Sequence, residues 1–147
     1  MVGRPTDPAP EEGPLLVLLE RGACHGFCPI YWVRSAEDGG VLYGGREFVA
    51  VGGRQRARLD AAALAELHAA LAGADFFALD ERYTRRDYDG FPRVTTTHRA
   101  GGRERTVEHY LGDAGAPARL LELEEAIDRI AGTAAWIGEE DRGISGP

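Results

Sequence analysis

Apolar residues recur along this chain at three different spacings, and each spacing predicts an element. Leu15 to Glu20 is a nearly continuous apolar run, the mark of a central strand buried on both faces. Ile30 to Ser35 is rich in aromatic and β-branched residues and predicts a second strand. Glu37-Asp38-Gly39-Gly40 is a hairpin turn, since glycine supplies positive φ, and Val41 to Tyr43 returns from it. Glu47 to Val51 and Arg54 to Leu59 predict another hairpin, closed by Gly52-Gly53. From Asp60, a good N-cap, the period becomes helical: Leu64, Leu67, His68 and Leu71 share one face, and Gly73 is placed as a C-cap. Asp75 to Leu79 carries a heavy apolar load, whereas residues 80–92 are polar and turn-prone. Arg93 to Arg99 and Arg103 to Leu111 predict a hairpin around Gly101-Gly102. A last helix has Pro117 in its first turn, a stripe of Leu120, Leu123, Ile127 and Ile130, and a stop at Gly132. Trp136-Ile137 is expected to fold back over the core edge.

The order is strands, helix, hairpin, helix. Tight hairpins give an antiparallel sheet, and both helices must bury a stripe against it, so the fold class expected is a two-layer α+β domain. Its body is residues 14–137. Residues 1–13, with three prolines and three acids, read as a disordered lead-in, and residues 138–147 as a flexible tail.

Composition narrows the function. The chain has 147 residues, enough for one domain that needs neither metal nor disulfide merely to fold. Its net charge of −7 argues against nucleic acid, whose phosphates demand a basic face, and disfavours an anionic membrane surface. All 17 basic residues are arginine, so no lysine nucleophile or Schiff base is available. No run approaches the ~20 apolar residues of a membrane span. The polar, proline-rich start is not a signal peptide, so the sequence as written predicts a cytoplasmic protein, or an envelope protein if a leader was removed.

Residues 24–31 read Cys-His-Gly-Phe-Cys-Pro-Ile-Tyr and contain both cysteines. Wound like one helical turn, a C-x3-C segment brings two α-carbons to about 6 Å, within disulfide range. So short a ring contributes only about 2 kcal/mol, so turn-locking or redox chemistry is a better reason for a bond there than stability. The spacing is not C-x-x-C, and no helix N-terminus follows to depress a thiol pKa. A metal would draw on Cys24, His25 and Cys28, but no second ligand pair completes a set. With Gly101-Gly102 as a two-residue loop, Val94 opposes His109 and His98 opposes Arg105. Both histidines then share a face with Val94 and Val107, about 13 Å apart at ~3.3 Å per residue, too far for one zinc. Each reads as a hydrogen-bonded histidine, as does His68.

Asp80, Glu81, Asp87 and Asp89 lack the spacing of a calcium loop and read as a solvated, mobile loop, with Asp87 or Asp89 capping the following turn as the next use. Thr95 to Thr97 alternate faces of a strand and favour β structure. The glycine pairs at 39–40, 44–45, 52–53 and 101–102 are expected between strands rather than before a helix, and form no phosphate cradle. No complete catalytic set is visible, and no cofactor is expected.

The chain resembles a family of small bacterial domains of unknown function that carry a Cys-x-Gly-x-Cys-Pro-x-Tyr signature after the first strand, here Cys24, Gly26, Cys28, Pro29 and Tyr31. The similarity continues through Leu19-Glu20-Arg21, Gly39 to Tyr43, Ala74 to Phe77, Pro92 to Thr97, Ala126 to Asp128 and Trp136-Ile137, covering about residues 15–137. It implies the same architecture and an important turn, and it brings no activity.

The leading expectation is a non-enzymatic binding module for a protein or small-molecule partner, centred on Cys24, His25, Gly26, Phe27, Cys28, Pro29, Tyr31 and Trp32. Phe27, Tyr31 and Trp32 are expected to form its contact surface. The alternatives are a thiol-redox protein cycling Cys24 and Cys28, or a metal site on those cysteines and a histidine.

Overall fold

A computed structural model of the chain describes residues 13–138. The expected lead-in and tail therefore lie outside the described residues, apart from Gly13 and Gly138. The described part is α+β: seven strands in one mostly antiparallel sheet and three helices. The strands are β1 (Leu15–Arg21), β2 (Ile30–Ala36), β3 (Gly40–Glu47), β4 (Gly53–Arg58), β5 (Arg82–Tyr83), β6 (Arg93–Ala100) and β7 (Arg103–Tyr110). The helices are α1 (Ala61–Gly73), α2 (Ala118–Ala131) and the short α3 (Ala134–Ile137), with a 3₁₀ turn at Phe76–Ala78. The sheet order is β4-β3-β2-β1-β6-β7-β5.

β1 lies at the middle of the sheet and supplies apolar side chains to both faces. Val17 and Leu19 join Val33, Val41, Val94 and Val107 in one core with Leu67 and Leu71 of α1 and Leu120, Leu123 and Ile127 of α2. Leu15 and Leu18 pack instead with Trp32 and Leu42 on the opposite face. Leu16 falls at a register shift between Leu15 and Val17 and keeps its side chain in the helix-side core.

The β6–β7 hairpin has the expected register, with Val94 opposite His109 and His98 opposite Arg105. Its turn residues Gly101 and Gly102 have φ of 58° and 77°, the positive pair that a two-residue hairpin loop requires. Asp60 caps α1 by accepting from Ala63 N at 2.8 Å. Gly132 ends α2 at φ 79°. Trp136 does fold back: its ring stacks on Tyr43 at 4.8 Å, and its carbonyl accepts from Val51 N at 2.8 Å.

Five expectations need correction. Glu47 to Val51 is not a strand; β3 runs unbroken from Gly40 to Glu47 and pairs with both β2 and β4. Gly44-Gly45 is thus mid-strand, not a turn. A Cβ on Gly44 would sit inside the Trp32 indole, so glycine is there to let the ring lie flat on the backbone. The polar stretch 80–92 contains β5, which pairs in parallel with β7, so the sheet is not wholly antiparallel. His68, expected on the same face as Leu67 and Leu71, is exposed while those two are buried. Finally, Ala61–Ala78 has the length and composition of a membrane span. In the structure that stretch is broken by the end of α1, and Leu67, Leu71, Ala74 and Phe76 lie in the core.

Candidate functional site

The turn between β1 and β2 is closed by a Cys24–Cys28 disulfide, S–S 2.06 Å and Cα–Cα 5.8 Å. Both cysteines are half-buried, while His25, Gly26 and Phe27 between them are exposed. Few backbone bonds tie the turn down: Gly22 N donates to Arg93 O at 2.9 Å, and His25 N to Gly90 O at 3.1 Å. Gly90 has φ 88°, and a Cβ there would press to 3.3 Å from His25 Nδ1, so glycine allows the turn to close against this loop. Inside the ring, Gly26 N donates to Cys24 Sγ at 3.3 Å.

Phe27, at the tip, is 80% exposed, and its ring meets that of Phe48 edge-on at 5.2 Å. Phe48 is 48% exposed and sits at φ 58° in the bend that follows β3. The two rings form a convex apolar knob. Tyr31 and Trp32 are not part of it. Neighbouring residues on a strand point to opposite faces, so Tyr31 enters the helix side and Trp32 the other, each at most 6% exposed. The expected wall of three aromatics is therefore one exposed ring and two buried ones on opposite sides of the sheet.

Beside the turn lies a cleft of about 650 Å³ between the ends of β1 and β2 and the C-terminal half of α2. Cys28, Pro29 and Tyr31 border it from the turn, Pro92 and Leu111 from the β6 and β7 side, and Leu121, Glu125 and Thr133 from the helix side. Its floor is an ionic knot around Asp128. Arg21 Nε donates to Asp128 Oδ2 at 2.7 Å, and the Tyr31 hydroxyl and Thr133 Oγ1 each donate to Oδ1 at 2.7 Å. Burial opposes the charge on Arg21, but Asp128, Tyr31 and Glu124 outweigh it and hold the guanidinium more firmly protonated than usual. Burial, reinforced by the Asp128 carboxylate, pushes the Tyr31 phenol well above its ordinary range. Tyr31 thus links the cysteine turn to α2 as a neutral hydrogen-bond donor.

One turn earlier on α2, Glu124 is fully buried, its Oε2 2.6 Å from His109 Nδ1. Its Oε1 accepts no hydrogen bond among the described residues, and burial raises its pKa. His98 also has a partner, with Nδ1 2.8 Å from Leu16 O. A carbonyl only accepts, so that nitrogen carries the proton. Asp87 does not cap its own following turn; it accepts from Ala114 N, 27 residues further on, at 2.8 Å.

A metal at Cys24, Cys28 and His25 does not fit, because both sulfurs are already joined to each other. Among the described residues no group of three or more His, Cys, Asp or Glu is placed to hold an ion. Sequence reasoning missed Arg21, Asp128, Thr133 and the buried Glu124. Arg21 and Asp128 fall in segments that carry the family resemblance, and Glu124 is a polar residue set beside an apolar helical stripe, but no spacing rule joins the four.

The sequence profile of the family described as "Domain of unknown function (DUF6438)" matches residues 15–131. No curated protein matches the chain.

Proposed function

The chain belongs to the DUF6438 family, and we propose that it is a non-enzymatic interaction module whose Phe27–Phe48 knob enters an apolar pocket on a protein partner. The scaffold is read as two layers, sheet and helices, with the knob mounted at one end. The observation that carries this reading is Phe27: an aromatic ring left 80% exposed on a disulfide-closed turn. Burying such a ring on binding contributes about 1.5–3 kcal/mol, and aromatic anchors in desolvated pockets dominate interface energetics. The closed ring and the Phe48 contact hold the side chain in place beforehand, which spares about 0.5–1.5 kcal/mol of ordering on association. The knob is convex, so the partner must supply the concavity. The net charge of −7 disfavours nucleic acid or an anionic lipid surface as that partner.

The test is to pan a displayed random-peptide library against the wild-type domain, with the Phe27→Ser/Phe48→Ser double variant in solution as competitor. Recovered peptides should be rich in apolar residues and should bind Phe27→Ala about 30-fold more weakly than wild type. Peptides that bind both proteins equally would rule the knob out as the contact surface. Both rings are exposed, so neither change disturbs the core.

A further inference from the structure

We propose a second activity at the same turn: it exchanges disulfides with thiol compounds, with Cys28 the sulfur attacked and Cys24 the one that leaves. The activity does not depend on the knob having a partner. Two observations fix the direction. Cys28 borders the 650 Å³ cleft and Cys24 does not, so an incoming thiol has room to reach Cys28. Cys24 Sγ accepts the Gly26 N–H at 3.3 Å, a donor already in place for the charge that develops on a departing sulfur.

The step balances as follows. A thiolate attacks Cys28 Sγ and forms a mixed disulfide. The Cys24–Cys28 bond breaks, and its electron pair leaves on Cys24 Sγ, which takes a proton from water. A second thiolate then attacks the compound's own sulfur in that mixed disulfide and releases Cys28 as a thiolate, which takes a proton from water in its turn. The small thiols are oxidised to their disulfide, and the protein gains two electrons and two protons.

β-Mercaptoethanol is the probe. The oxidised, full-length protein is treated with it briefly at mildly alkaline pH, quenched in acid, digested, and mapped by mass spectrometry. The mixed disulfide should stand on Cys28 at least about fivefold more often than on Cys24. An even or reversed distribution would overturn the assignment. So would the absence of any adduct and of free thiols while the same treatment reduces oxidised glutathione added as an internal standard. Reduced single-cysteine variants give the second readout. Cys24 alone, in Cys28→Ser, should react with iodoacetamide at lower pH than Cys28 alone, in Cys24→Ser; the opposite order contradicts the role given to Gly26.

Discussion

Replacing Asp128 by alanine is expected to destabilise the domain by about 3–5 kcal/mol, as breaking a largely desolvated ion pair on one side generally does. For a chain of this size that lowers the melting temperature by about 10–15 °C. Three donors lose their acceptor at once: Arg21 Nε, the Tyr31 hydroxyl and Thr133 Oγ1, each at 2.7 Å. The Arg21 side chain is only 18% exposed, so its charge has little water to turn to. Tyr31 is 2% exposed, and its hydroxyl would be left beside an apolar methyl group. Asp128→Asn keeps the shape and an acceptor, and should lose less. Thermal denaturation of the two variants checks the account; a shift below about 3 °C for Asp128→Ala would mean that Asp128 is not what ties the β1–β2 end to α2.

The second large effect is expected at Glu124, whose replacement by alanine should cost about 3 kcal/mol or more. That change empties a fully buried position and leaves His109 Nδ1 without its 2.6 Å partner. Glu124→Gln is a different experiment. Burial raises the Glu124 pKa, so the folded protein holds this proton more tightly than the unfolded chain does. The sign follows by linkage: stability is greatest below the unfolded carboxyl pKa and falls as pH rises through the raised folded value. Glutamine carries no such proton. Denaturant melts of the two proteins across the acid range should therefore show wild type losing stability relative to Glu124→Gln as pH rises. Parallel curves would show that the carboxyl is not held protonated by its surroundings.

Local pattern was legible wherever neighbours in sequence are neighbours in space. Gly101-Gly102 fixes the β6–β7 register, and from it the placement of His98 and His109 on one face follows by counting. The cysteine turn is equally local, with an expected α-carbon spacing of about 6 Å and 5.8 Å found. The floor of the cleft is not local. Asp128 lies 107 residues from Arg21 and 97 from Tyr31, and no spacing rule connects them. Gly44 misled for a related reason. A glycine pair inside an apolar stretch signals a turn, unless a ring from the adjacent strand needs the space, and Trp32 is that ring. The grouping of Phe27, Tyr31 and Trp32 had less excuse, since the two-residue period of a strand already sends Tyr31 and Trp32 to opposite faces. The family match reaches from β1 through α2 and therefore spans both the turn and Asp128.

The central claim is that the Cys24–Cys28 bond, rather than core packing, holds Phe27 in position. Backbone order parameters at Gly26 and Phe27 test it most directly, measured by nitrogen relaxation on oxidised and reduced protein. The oxidised turn should be as rigid as the flanking strands, near ~0.85, and should fall below about 0.6 on reduction while β1 and β2 stay unchanged. Equal values in the two states, or a turn already mobile when oxidised, would contradict it.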